Sequence, residues 1–301
     1  MTEKRSGTVA LVGRPNGGKS TLLNRLVAEK VAIVSDKPQT TRHRLMGILT
    51  EERGQMVLVD TPGVHKPKHR LNRQMVKAAV QALTEVDVVC LLVDAPLPFG
   101  GGDRYMLSLL ENVSVPRVLA LNKVDLLKKL RLLPIIERYH ETGLFEEIVP
   151  ISALNGDGVE DLASLLWDRL PEGAPAYSAE LATLQPERFL VAERIREKVL
   201  LNTRDELPFS TAVLIEGWNE AGENNRLHIE ACLLVEKENQ RRILIGRGGR
   251  MIKALGIEAR RDIEDFLDRP LFLHLYVRCV PGWREKETIL SELDRAAWTV
   301  S

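Results

Sequence analysis

Residues Gly13-Arg14-Pro15-Asn16-Gly17-Gly18-Lys19-Ser20 follow the spacing G-x-x-x-x-G-K-S, and that combination of residue types suits the holding of a phosphate chain. The glycines let successive backbone N–H groups curl toward an anion, and a helix starting at the end of the loop adds partial positive charge. Lys19 would reach the β- and γ-phosphates and Ser20 would set its hydroxyl on Mg²⁺, with Thr21 next in the same turn. A second cluster, Asp60-Thr61-Pro62-Gly63, closes the apolar run QMVLVD. A carboxylate there can hold Mg²⁺ through water, and the Gly63 N–H can meet the γ-phosphate. The third, Asn122-Lys123-Val124-Asp125, chooses the base. The Asp125 carboxylate can accept from guanine N1–H and N2–H₂ together, a donor pair adenine lacks, and such a site rejects the analogue strongly. Lys123 would lay its stem along the base plane, and Ser152-Ala153-Leu154 would add a main-chain contact to guanine O6.

A different chemistry is written into QRRILIGRGGRMIK, residues 240–253. Arg241, Arg242, Arg247, Arg250 and Lys253 stand there without one acid, around the G-x-x-G turn Gly246-Arg247-Gly248-Gly249. Glycines allow a nucleic-acid backbone to approach, and flanking cations with a helix start suit phosphate. This is the KH arrangement, a GxxG loop that clamps about four nucleotides while their bases lie in an adjoining groove. Ile243, Ile245, Met251 and Ile252 are the expected floor of that groove, and the run RILIG is expected to be a strand.

These residues need elements to hold them. TVALVG, QMVLVD, DVVCLLVDA, RVLALNK and EIVPIS are near-continuously apolar, as strands buried on both faces of a mostly parallel sheet are. Helix-like segments 19–28, 71–84, 103–112 and 159–169 alternate with them, which predicts a doubly wound α/β P-loop domain. Residues 171–186, PEGAPAYSAELATLQP, lose that periodicity and predict a linker or an extended crossing segment. Beyond it come an amphipathic helix over 187–202, the strand-like runs STAVLIEGW and RLHIEACLLVEK, the glycine turn with its helix, and the strand LFLHLYVRCV. The expected organisation is a GTP-binding G domain over 1–172, a linker over 173–186, and an α+β type II KH domain with a helical tail over 187–301.

Composition sets few further limits. The chain of 301 residues balances 42 Lys and Arg against 42 Asp and Glu, so an RNA partner must be sought in local charge. Cys90, Cys232 and Cys279 are dispersed, which fits a reducing cytoplasm. The short apolar run of MTEKRSGTVALVG leads into the glycine motif and reads as a strand rather than a signal peptide. No stretch approaches the roughly 18–20 apolar residues of a spanning helix. The basic run HKPKHR, 65–70, is expected to be a solvated loop.

With the four nucleotide motifs in this order, residues 7–170 resemble the translation-factor-like GTPases. That resemblance implies a switch-I threonine closing on Mg²⁺, with Thr40 and Thr41 as candidates and Thr41, directly before Arg42, preferred. Many relatives place a glutamine directly after DTPG to orient the attacking water. Here Val64 stands in that position, so hydrolysis is expected to be slow, at roughly 10⁻³–10⁻⁴ s⁻¹ unassisted. In similar GTPases an asparagine at the position of Asn16 helps hold K⁺ beside the phosphates, which adds Asn16 to the catalytic set of Lys19, Thr41, Asp60 and Gly63.

Over its full length, in GRPNGGKS, QTTRHR, DTPGVH, NKVD and IGRGGRMIK, the chain resembles the bacterial ribosome-assembly GTPases that carry a C-terminal KH domain. Gly17 departs from that family, which usually has valine there. The resemblance implies binding to 16S ribosomal RNA near its 3′ end in the maturing 30S subunit, GTP/GDP with Mg²⁺, and a monomer with weak peripheral attachment at the cytoplasmic face of the inner membrane. Two rivals stay open: a GTPase of tRNA modification or large-subunit assembly, and a guanine-nucleotide-sensing RNA-binding protein with little turnover.

Overall fold

The computed structural model describes residues 4–64, 69–220 and 226–298. Residues 65–68 of the basic HKPKHR run lie outside the described residues. The chain forms two compact units, one drawn from 1–68 and 72–184 and the other from 69–71 and 185–301.

The first unit is built on a six-stranded sheet: β1 (Arg5–Gly13), β2 (Leu45–Glu51), β3 (Gly54–Asp60), β4 (Val88–Asp94), β5 (Arg117–Asn122) and β6 (Glu147–Pro150), in the order β2-β3-β1-β4-β5-β6. Only β2 runs antiparallel to its neighbour. Val9 to Val12 and Val88 to Leu92 are at most 2% exposed, because helices cover both faces of a parallel sheet and leave no strand face for water. The helices are α1 (Lys19–Val27), α2 (Arg70–Ala82), α3 (Gly101–Leu110), α4 (Leu132–His140) and α5 (Val159–Arg169). The P-loop leaves the end of β1, Asp60 ends β3 and Asn122 ends β5, so the parallel strands deliver the three motifs to one edge of the sheet. Ligands of open α/β sheets bind at that edge.

Sequence patterning misses β2 and α4. β2 forms a hairpin with β3, registering Glu51 against Gly54, and owes its place to that pairing. Pro134 is the third residue of α4, inside the first turn, where a missing N–H is tolerated.

The segment expected to be a linker or an extended crossing segment is tied to β2 and β3. Thr183 bridges Gly47, Ile48 N–H donates to the Ala182 carbonyl at 2.8 Å, and Thr183 Oγ1 donates to Met46 O at 2.6 Å. Gln55 is fully buried and uses its whole amide here. Its Nε2 donates to Thr50 Oγ1 and Tyr177 O, and its Oε1 accepts from Ala176 and Tyr177 N–H, all at 2.9–3.0 Å.

The second unit contains α6 (Glu187–Asn202), α7 (Leu207–Ser210), β7 (Ala212–Asn219), β8 (Leu227–Val235), α8 (Glu238–Ile245), α9 (Arg250–Leu267), β9 (Leu271–Cys279) and α10 (Glu287–Ala296). Its sheet has the order β7-β8-β9, with β7 and β8 antiparallel and β8 and β9 parallel. Leu227, Ile229, Ala231, Leu233 and Val235 alternate along β8 and enter one core with Val191 and Ile195 of α6 and Leu255, Ala259 and Ile263 of α9. The expected strand RILIG is helical instead, forming the end of α8. Its Leu244 alone is fully buried while Arg241, Arg242 and Ile243 face solvent, a one-sided pattern that a buried strand would not show.

Replacing Gln55 by Ala strands the Thr50 hydroxyl and the part-buried N–H groups of Ala176 and Tyr177. Gln55→Ala is expected to lower stability by about 2 kcal/mol in urea unfolding, and a loss below about 0.5 kcal/mol would show that the segment does not depend on this amide.

Candidate nucleotide and RNA sites

The P-loop is shaped by backbone that only certain residues accept. Gly13 and Gly18 have φ of 149° and 92°, and a Cβ at either would collide, with the Leu92 carbonyl oxygen and Asn122 Nδ2 respectively. Asn16 also has positive φ, 63°, which asparagine tolerates better than most side chains. Gly63 is pressed against the loop: a Cβ there would lie 2.6 Å from Pro15 Cα.

Lys19 begins α1 and is 5% exposed, its Nζ donating to the Arg14 carbonyl at 3.1 Å and lying 3.5 Å from that of Gly13. Burial pushes its pKa down, and the Asp60 charge pulls the other way. Asp60 is fully buried, and its pKa is raised by burial against the opposing effects of Lys19, Ser20, Thr41 and the Thr61 N–H. Ser20 Oγ donates to Asp60 Oδ2 at 2.6 Å and Thr41 Oγ1 at 3.2 Å, and the two hydroxyls are 2.8 Å apart. Thr40 turns into its own loop, donating to Lys37 O at 2.7 Å with Ser35 Oγ also at 2.7 Å. Of the two threonines, Thr41 is the one brought to Ser20 and Asp60.

Two hydroxyls and a carboxylate form a hard oxygen donor set of the kind that Mg²⁺ takes. Asp60 Oδ1 is buried and has no hydrogen-bond partner among the described residues, although such a group ordinarily finds one. The residues therefore fit the ion. Pro15, Asn16, Gly18, Lys19, Ser20 and Thr21 line one side of a cavity of about 310 Å³, closed on the other side by 33–36, 39–41, Gly63 and Lys123.

Several sequence candidates make their side-chain contacts away from the centre of the cavity. Asn122 is 2% exposed; its Nδ2 donates to Gly17 O at 2.8 Å and its Oδ1 accepts from Ala153 N–H at 2.9 Å. It joins the P-loop to the Ser152-Ala153-Leu154 turn. Lys123 pairs with Asp94, and Ser152 Oγ accepts from Asn155 N–H at 3.1 Å. Asp125 and Leu154 are exposed. Thr61 turns back to Leu11 O at 2.8 Å, and Arg14 points away to Asp103. Val64 is buried in the hydrophobic core, so its side chain has no access to an attacking water. Sequence reasoning missed Arg25 of α1, which donates from Nε to Ala153 O at 2.7 Å and also to Leu154 O. Its signal, an arginine two turns after the P-loop, has no meaning until the sheet brings residue 153 alongside.

In the second unit Gly246, Gly248 and Gly249 all have positive φ, 60–77°. A Cβ on Gly246 would lie 2.7 Å from that of Met251, whereas nothing lies within 4 Å of one on Gly248 or Gly249. Two of the three glycines thus present open backbone. Arg247, Arg250 and Lys253 are exposed beside them. A groove of about 350 Å³ runs on between α9 and β9, lined by Ile252, Lys253, Gly256, Ile257 and Arg260 on the helix and by 272–275 on the strand. Ile252 lines it as expected. Ile245 and Met251 do not: both pack against the core. Ile243 is 54% exposed on α8, and Arg241 is drawn to the Val277 carbonyl at 3.3 Å. The strand wall, with Phe272 55% exposed, was readable only as the alternation of LFLHLYVRC.

Comparison with known proteins agrees with both halves. Residues 8–123 match the family model described as 50S ribosome-binding GTPase, and residues 206–284 match the KH domain. A GTPase Era from Geotalea uraniireducens is 46% identical over 294 residues, covering 97% of this chain and 99% of the relative. One from Lactobacillus helveticus is 46% identical over 295 residues, covering 97% of each. This chain belongs to the Era family of GTPases. It is a P-loop GTPase followed by a KH domain. Two Era crystal structures, each 37% identical and covering 97% of this chain and 99% of the other, superpose with TM-scores of 0.94 and 0.92. The first is in complex with MgGDPNP and nucleotides 1506–1542 of 16S ribosomal RNA, and the second is a point variant of Aquifex aeolicus Era bound to GDP·AlF₄⁻.

In this Era-family site a metal must displace any proton from Asp60, whose pKa lies above the ordinary 3.8. Mg²⁺-dependent nucleotide binding is therefore expected to weaken as pH falls through that raised value. Titration of nucleotide affinity against pH, with and without Mg²⁺, checks this: a metal increment that is flat with pH would contradict it.

Proposed function

We propose that this GTPase is a nucleotide-driven switch of small-subunit assembly that binds 16S ribosomal RNA near its 3′ end through the KH groove. The full-length likeness to an Era structure holding both a GTP analogue with Mg²⁺ and the 1506–1542 segment of that RNA carries the reading. The open GxxG backbone and the groove beside it support it. A role in large-subunit assembly leaves that half without a task. The free thiols of Cys90, Cys232 and Cys279 suit a cytoplasmic protein.

In this reading Lys19 and the loop N–H groups of residues 13–20 bind the β- and γ-phosphates, and Gly63 N–H binds the γ-phosphate. Ser20, Thr41 and Asp60 hold Mg²⁺, which would neutralise charge on the phosphate oxygens. Thr41 brings switch I with it, so the loop closes only over the triphosphate. Asp125 reads guanine, while Asn122, Arg25 and Lys123 hold the base-binding loops in place. Arg247, Arg250 and Lys253 meet RNA phosphates, and Ile252, Ile257 and Phe272 meet bases. Arg241 and Arg242 add charge at the rim.

RNA binding is tested by fluorescence anisotropy with a single-stranded oligomer from the 16S 3′ end, in GDP and in a non-hydrolysable GTP analogue. Gly248 has φ of 60° and open space around it, a conformation that aspartate accepts, so Gly248→Asp adds negative charge without refolding the loop. Tight wild-type binding, favoured by the GTP analogue and lost in the variant, is expected. No wild-type binding would remove the RNA target, and equal binding in both nucleotide states would remove the switch.

Asn16 Nδ2 donates to the Asp36 carbonyl at 2.7 Å, which leaves Oδ1 to accept a cation's charge beside the phosphates. K⁺ at that place would act where an arginine finger acts elsewhere. Hydrolysis is expected to run faster in KCl than in NaCl, with Asn16→Ala abolishing the difference. Equal wild-type rates in the two salts would refute a K⁺ role.

A further inference from the structure

The side chain of Arg14 leaves the phosphate loop altogether. Its Nη1 donates to Asp103 Oδ2 at 2.9 Å, and the Asp103 side chain is only 7% exposed. The same oxygen accepts from the Gly100 N–H at 2.8 Å, and the Asp103 carboxylate also meets the Tyr139 hydroxyl, whose pKa is raised by burial first and by Asp103 second. Arg14, Asp103 and Tyr139 share a crevice floored by Leu92, Val93 and Met106. A buried carboxylate oxygen that accepts from two donors is a rigid anchor.

The other end of Arg14 touches the phosphate-binding machinery. Its carbonyl oxygen accepts from Lys19 Nζ at 3.1 Å and from Gly17 N–H at 3.3 Å. The side chain and the carbonyl belong to one residue, so fixing the guanidinium fixes the oxygen that aims the ammonium. A Cβ at position 17 would lie 3.2 Å from this same oxygen. Gly17 has no side chain to crowd this oxygen, and the far end of Arg14 is held by Asp103.

The first turn of α3 accommodates the tether. A Cβ on Gly102 would lie 2.9 Å from Arg14 Nε and 3.1 Å from its Cδ. Helix interiors ordinarily disfavour glycine, and the guanidinium stem lying over this turn is a physical reason for one here.

We propose that Asp103 is a positioning residue for Lys19, acting through Arg14, and that Gly102 is the opening that lets it act. The inference rests on Lys19 binding the β- and γ-phosphates. Lys19 touches the γ-phosphate in GTP alone, so a misaimed Lys19 weakens the triphosphate more than the diphosphate.

The test measures Kd for fluorescent GDP and for a fluorescent non-hydrolysable GTP analogue, together with kcat and melting temperature. The proteins are the full-length wild type, Asp103→Asn, Gly102→Ala, Arg14→Lys and Lys19→Ala. Asp103→Asn is expected to weaken the GTP analogue by about tenfold, the size expected for losing one charge-assisted hydrogen bond, and to weaken GDP less. Gly102→Ala improves helix propensity, so its melting temperature should hold or rise while its affinity for the GTP analogue falls. Arg14→Lys, which keeps one donor for Asp103, should retain most of the affinity. Unchanged affinity in both Asp103→Asn and Gly102→Ala, or losses that follow the melting temperature and fall equally on GDP and GTP analogue, would overturn the tether. If Lys19→Ala itself binds the analogue as the wild type does, the assignment of Lys19 fails, a result distinct from failure of the tether alone.

Discussion

Asp60 and Lys19 are opposite charges taken almost wholly out of water at the edge of the sheet, and the rest of the nucleotide site is arranged around that pair. Removing two ions from water is unfavourable, and their attraction offsets it only where further polar groups complete their shells. Ser20 and Thr41 share one oxygen of Asp60, and the other has no partner among the described residues. The ammonium of Lys19 rests on two backbone carbonyls. Such a pair is poor at stabilising an empty protein, and it is well placed to gain from a metal and a phosphate chain.

Loops that carry such charges must not drift, and in this G domain side chains tie them to one another. Asn122 binds the P-loop to the base-specificity turn, Arg25 holds that turn from α1, Lys123 pairs with Asp94, and Arg14 is drawn to α3. Three of these four residues belong to motifs usually read as contacting the nucleotide directly. Their side chains also hold the shape of the loops around the cavity, which explains why a site built from loops can be as exact as one built from strands.

The KH domain solves a different problem with similarly few parts. Open backbone at Gly248 and Gly249, a helix beginning at Arg250, and a groove with one helical and one strand wall are the features that the proposed function assigns to RNA phosphate and bases. The helix preceding the turn, in place of a strand, puts Arg241 and Arg242 on an exposed helical surface rather than in a sheet. Their charge consequently stays at the surface of α8, where it can attract a polyanion without being buried.

The linear sequence determined the motifs whose chemistry depends on residue type and short spacing. Gly13–Ser20, Asp60–Gly63, Asn122–Asp125 and Gly246–Gly249 are each a short unbroken stretch of backbone, so much of their local conformation is encoded where they stand. It also determined the parallel strands, because burial on both faces demands unbroken apolar runs. Tertiary structure brought Thr41 rather than Thr40 to Ser20 and Asp60, packed Ile245 and Met251 against the core, and placed Ile257 and Phe272 in the KH groove. It also gave Arg14, Arg25 and Gln55 their partners at Asp103, Ala153 and Tyr177. Those outcomes turn on pairings across 89, 128 and 122 positions, and a hydrogen bond between residues that far apart exists only after the sheet has closed the distance.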